Sequence, residues 1–131
     1  MKGPRVYCKL VRDRVPEELS GKPIRYETQR VKGESYRQAL LEKLIEEANE
    51  ALEAGDSAET LMMELVDVFE VLDTLCDTYG IRHLDVFRHQ SLKRKARGGF
   101  TNGTMLLWVQ DIDLVEVPDA YLEGESSDEK E

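Results

Sequence analysis

Two short acidic runs in this sequence have the spacing of cation ligands. The first is Glu46-Glu47-Ala48-Asn49-Glu50 and the second is Glu64-Leu65-Val66-Asp67. On a helix, residues three apart rise about 4.5 Å and share a face. Glu47 with Glu50, and Glu64 with Asp67, therefore each make a two-carboxylate clamp. Hard cations such as Mg²⁺ take oxygen ligands and leave positions open to water and substrate phosphates. On two packed helices, whose axes sit about 8–10 Å apart, the four carboxylates can enclose one or two ions. The plain alternative is a set of solvated glutamates. Angular position counts against it. At about 100° per residue, Glu64 falls between Val71 and Leu75 on an apolar arc, and Asp67 lies just beyond that arc. A buried carboxylate is costly without a counter-charge. No lysine or arginine occurs from Ala51 to Ile81, so a metal ion is the expected partner. Glu47 borders the apolar arc of its own helix beside Leu40 and Ala51, whereas Glu50 points nearly opposite it. Glu50 is expected to reach the site only if a second surface packs there, which favours a dimer or larger bundle.

Basic residues supply the complementary chemistry. Lys93, Arg94, Lys95 and Arg97 crowd the end of a helix, where cations complement the dipole. The functional reading is that Lys93 and Arg97 bind phosphate oxygens beside the ions. Lys9, Arg12 and Arg14 are similar candidates. Phe100 and Trp108 offer flat rings for a base, although core packing is the stronger expectation. Cys8 and Cys76 are far apart and read as reduced thiols. His83 and His89 are too few and too badly spaced for zinc. No phosphate-binding P-loop, Ser/His/Asp set or nucleophilic cysteine motif competes with the acidic runs.

The elements that must position these residues are helical. Ser35 is a candidate N-cap, and Leu41, Leu44, Ile45, Ala48 and Leu52 then recur at helical spacing. Gly55 closes that helix. Asp56-Ser57-Ala58-Glu59 resembles a capping box, and a second helix runs to Gly80 with Leu61, Leu65, Val68, Leu72, Leu75 and Tyr79 on one stripe. So short a link makes the pair an antiparallel hairpin. A third helix is expected from about Arg82 to Arg97, ending at Gly98-Gly99. Val6 to Val11, Ile24 to Val31 and Thr104 to Val109 have extended character. The expected fold is mainly α: a helix hairpin plus a third helix, forming an oligomeric helix bundle, with a small β appendage from the terminal segments.

The bulk numbers set limits. A chain of 131 residues, 40% hydrophobic and 34% charged, fits one domain with a modest core. Net charge is −9, which argues against a general nucleic-acid binder. Asp119 to Glu131 holds six acidic residues and one lysine. It reads as a disordered tail beyond a domain at residues 1–118. No apolar run approaches the roughly 20 residues of a membrane helix, and the N-terminus does not read as a signal peptide. The expected location is the cytoplasm.

At this point the residues resemble a family. Lys43-Leu44-Ile45-Glu46-Glu47-Ala48-Asn49-Glu50, followed after 13 residues by Glu64-Leu65-Val66-Asp67, resembles the EExxE…ExxD signature of all-α nucleoside triphosphate pyrophosphohydrolases, the MazG-like and phosphoribosyl-ATP pyrophosphohydrolase-like proteins. Lys9-Leu10-Val11-Arg12-Asp13-Arg14-Val15-Pro16-Glu17 looks like the KLVRDxIPE opening of one small branch. Lys93 with Arg97-Gly98-Gly99-Phe100 looks like that branch's ending. The likeness covers about residues 8–110. It implies Mg²⁺ or Mn²⁺ held by Glu47, Glu50, Glu64 and Asp67, with Glu46 as a base or as a support to the ligands. The implied reaction cuts an NTP or dNTP between its α- and β-phosphates, in a homodimer or homotetramer. Asn49 departs from the pattern where relatives often carry an acid, and Gly103-Thr104 stands where they often carry a basic residue. The alternative readings are hydrolysis of phosphoribosyl-ATP, and a non-catalytic helical module that assembles or regulates.

Overall fold

A computed structural model of the chain describes residues 3–111. The acidic tail expected at Asp119 to Glu131 lies outside them. The described residues form four helices: α1 Val15–Ser20, α2 Gly33–Glu53, α3 Ala58–Tyr79 and α4 His83–Arg97. The fold is mainly α, as its periodicity predicts. The chain divides at Leu92/Lys93 into two units.

In the first unit, α2 and α3 pack against each other. Their 21 and 22 residues give two rods each about 1.5 Å per residue long, joined by only Ala54 to Ser57. Gly55 makes this link possible with φ 74, a backbone state in which a Cβ would be strained. Ser57, rather than Asp56, caps α3: its Oγ accepts from the Thr60 N–H at 3.3 Å. Gly80 ends α3 at φ 66. Its N–H donates to Asp77 O at 3.3 Å, and the Ile81 N–H donates to Cys76 O at 2.8 Å. That doubled bond pattern is a Schellman ending. At the other end of the hairpin, α2 begins at Gly33, with Lys32 at the cap position and no capping side chain. Ser35 therefore sits inside the first turn instead of capping it.

Pro16 starts a helix that the hydrophobic spacing does not announce. It lies in the first two positions of α1, followed by Glu17 and Glu18, where a missing N–H costs nothing and acidic side chains complement the dipole. The β appendage does not form among the described residues. Val6 to Val11, Ile24 to Val31 and Thr104 to Val109 carry no strand assignment. An extended segment makes a strand only through a paired neighbour, and apolar alternation alone does not supply one.

The covered stripe of the hairpin is narrow. Leu40 (4% exposed) and Val71 (8%) are its buried apolar residues, with Leu44, Ala51, Leu61, Val68 and Leu75 half-buried beside them. A second apolar stripe is open on each helix: Leu41, Ile45 and Leu52 on α2, and Met62, Leu65, Phe69, Leu72 and Tyr79 on α3. The single stripe expected on each helix is therefore two. A helix apolar on more than one side has more than one surface to bury.

The second unit holds the last turns of α4, which end at Gly98 with φ 81. A turn follows, closed by the Gly103 N–H to Phe100 O at 3.2 Å. Phe100, expected in a core, is 99% exposed, and Trp108 is exposed as well. No helix among the described residues is long and apolar enough to cross a membrane.

Candidate metal centre

The hairpin brings the two acidic runs together. Glu47, Glu50, Glu64 and Asp67 each place one carboxylate oxygen within 4.8 Å of the others. Glu47 is buried, Glu64 and Asp67 are half-buried, and Glu50 is exposed. The reason lies in the register. Glu47 sits on the covered stripe of α2 with Leu40 and Leu44, and Glu64 on that of α3 with Leu61 and Val68. The next carboxylate on each helix follows three residues later, one turn along the same face. Glu50 reaches the cluster within a single chain. Its expected need for a second packed surface is thus corrected: a glutamate side chain is long enough to bend back over its own helix.

The counter-charges of the cluster come from outside α3, and of the α3 carboxylates in it Asp67 receives one. Lys43, one turn before Glu47, is 18% exposed and reaches Glu47 Oε1 at 3.1 Å and Glu46 Oε2 at 3.3 Å. Lys9 reaches Glu46 Oε1 at 2.9 Å. Arg12 Nη2 donates to Asp67 Oδ1. Lys9 and Arg12, expected as phosphate ligands, therefore stand against the acidic cluster itself. Glu46 has both oxygens engaged. The hydrogen bond from Lys9, helped by Lys43, holds its carboxyl below the ordinary range. That suits an anchor for two lysines and makes it a weak base.

Glu47 behaves oppositely. Burial pushes its carboxyl up, Lys43 pulls it down, and Glu50 and Asp67 push it up again. Its Oε1 has Lys43, but its Oε2 is buried with no hydrogen-bond partner among the described residues. A buried acceptor without a donor is costly. The sign of the consequence follows from the raised value. Ionising Glu47 costs the folded state, so its contribution falls as pH rises through the carboxylate range. A cation at the cluster removes that cost.

Lys93 and Arg97 lie at the end of α4, in the second unit, with Arg94 and Lys95 in the same last turn. An open hollow between α3 and α4, lined by Cys76, Gly80 and His83, contains none of the clustered carboxylates. Cys8 and Cys76 are free thiols. Lys43 is the site residue that the charge pattern understated; its place four residues before Glu47 was the available signal. Comparison with protein-family models, curated proteins and solved structures finds no match for this chain.

Proposed function

We propose that the chain is a Mg²⁺-dependent nucleotide pyrophosphohydrolase, converting an NTP or dNTP to its monophosphate and pyrophosphate. The observation that carries this reading is Glu47 Oε2, a buried acceptor without a partner, within a group of four carboxylates. Donors of this kind fit Mg²⁺ or Mn²⁺, which prefer oxygen and keep positions for phosphate. The charge balance agrees. Glu46, Glu47, Glu50, Glu64 and Asp67 outnumber Lys9, Lys43 and Arg12, so the group keeps a net negative charge for a cation to neutralise. Such an ion supplies charge neutralisation for cleavage of a phosphoric anhydride.

The chain's own groups do the rest. Glu47, Glu50, Glu64 and Asp67 hold the ion. Lys43 fixes Glu47 Oε1 and leaves Oε2 to the cation. Glu46 anchors Lys9 and Lys43. Lys9 and Arg12, which stand beside the cluster, are the candidates for phosphate oxygens, where positive charge stabilises the departing pyrophosphate. The position of the cut is what the resemblance to the MazG-like proteins implies. The working form is a homodimer or homotetramer, because the open stripes of α2 and α3 make an apolar surface of the kind that soluble chains bury against a partner.

Incubation of the protein with Mg²⁺ or Mn²⁺ and a panel of NTPs, dNTPs and phosphoribosyl-ATP tests the reading. Pyrophosphate and a monophosphate are expected from at least one NTP or dNTP. Orthophosphate with a diphosphate would overturn the cleavage position. Cleavage of phosphoribosyl-ATP alone would establish the alternative substrate. Release from none, with Mg²⁺ bound, would leave a non-catalytic module.

A further inference from the structure

We propose that Arg12 is an exchangeable counter-ion, which neutralises Asp67 until a divalent cation enters and then moves to a phosphate of the nucleotide. The inference rests on the reading above and adds an order of events to it. Asp67 is held in two ways: it belongs to the four-carboxylate cluster, and it is the acceptor for Arg12. A guanidinium and a divalent cation in front of one carboxylate repel each other, so full occupancy by the ion requires Arg12 to withdraw.

Three features make the withdrawal easy. The pair is well exposed, with side-chain exposures of 55% for Arg12 and 36% for Asp67, and such pairs are weak. Residues 3–13 carry no helix or strand, so moving Arg12 dismantles no regular element. The segment's other ion pair with the hairpin is Lys9 with Glu46, and Glu46 lies outside the four-carboxylate group. Lys9 can therefore remain as a tether while Arg12 swings. The destination is set by chemistry. A guanidinium fork matches phosphate oxygens as well as it matches a carboxylate, and a bound nucleotide brings phosphates to the ion.

The exchange makes a prediction with two signs. Removing Arg12 removes a competitor of the cation but also a ligand of the phosphate. Isothermal titration of Arg12→Gln with Mg²⁺ should show about two- to fivefold tighter binding than wild type, the size expected of an exposed pair. Titration with inorganic pyrophosphate in saturating Mg²⁺ should show binding at least about tenfold weaker, since a charge-assisted hydrogen bond is lost. Arg12→Lys, which keeps the charge and loses the fork, should fall between the two proteins. Mg²⁺ affinity that is unchanged or weaker in Arg12→Gln overturns the exchange, as does pyrophosphate binding that Arg12→Gln leaves unchanged. Wild type that binds no Mg²⁺ at all overturns the metal reading and the exchange with it. Mg²⁺ binding with unaltered affinity in Arg12→Gln overturns the exchange alone.

Discussion

Glu47→Gln should lose hydrolysis by at least about a hundredfold while its cation-free form melts no lower than wild type. The substitution keeps the shape and removes one charge from a site where burial already opposes that charge. Placed at the Oε2 position, the amide N–H₂ replaces an acceptor that had no donor with a donor close to the neighbouring carboxylates. Lys43 keeps Glu46 as a partner at 3.3 Å. The apo protein therefore gains or breaks even. Function moves the other way, because changes that disturb even the surroundings of a metal site commonly cost about 10–100-fold, and a ligand matters more than its surroundings. Mg²⁺ should raise the wild-type melting temperature by mass action, about 2.7 kcal/mol at a hundred times its dissociation constant, and raise the variant's far less. Melting curves with and without Mg²⁺, together with a pyrophosphate-release assay, read both signs. A variant that keeps its activity and its Mg²⁺-induced shift would show Glu47 to be an ordinary buried glutamate. Asp67→Asn is the companion measurement, with one difference: it also gives up the Arg12 ion pair, an exposed interaction of about 0–1 kcal/mol.

Phe69→Glu should convert the assembled protein to a monomer. Phe69 is 63% exposed and lies in the middle of the open stripe on α3, between Leu65 and Leu72. Its neighbours follow at alternating spacings of three and four, the pattern by which helices interlock. A charge left uncompensated in such a contact costs about 3–5 kcal/mol, roughly 10²- to 10⁴-fold in the association constant. Because the four carboxylates come together within one hairpin, the monomer should still bind Mg²⁺. Light scattering across micromolar concentrations decides. A wild type that is monomeric there, with full activity, would remove assembly from the account.

The hairpin was legible because local rules agreed with one another. A run of helical spacings, Gly55 and Gly80 at the exits, and a link too short to do anything but reverse direction leave one arrangement for α2 and α3. Most of the cluster was legible for the same reason, since placing Glu47 and Glu64 on facing stripes brings Asp67 with them, whereas Glu50 was expected to need a second packed surface and reaches the group within one chain. What stayed hidden is long-range or two-sided. Lys9 meets Glu46 across 37 positions and Arg12 meets Asp67 across 55, and no periodicity links such pairs. Leu41 and Ile45 share a helix with Leu44, yet only the packed structure separates the side that is covered from the side left open. The extended segments form no strand among the described residues, because a strand's existence depends on a paired neighbour that the sequence does not name.

The different chain distances within the site bear on how it comes into being. Thirteen residues separate Glu50 from Glu64, and the turn at Gly55 closes that short loop. Arg12 must close a loop of 55 positions to reach Asp67. Each doubling of loop length costs about 0.6 kcal/mol of chain entropy, and the longer loop has no helix pair to draw it shut. During folding the carboxylates are therefore expected to gather before their basic neighbours from the N-terminal segment arrive. For that interval the nascent hairpin has Lys43 as its only local balancing charge, and its appetite for cations is greatest. Refolding followed with and without Mg²⁺ would register this as a faster folding limb. Under the proposed metal reading, a magnesium ion would then act on the folding of the hairpin as well as on the chemistry of the finished site.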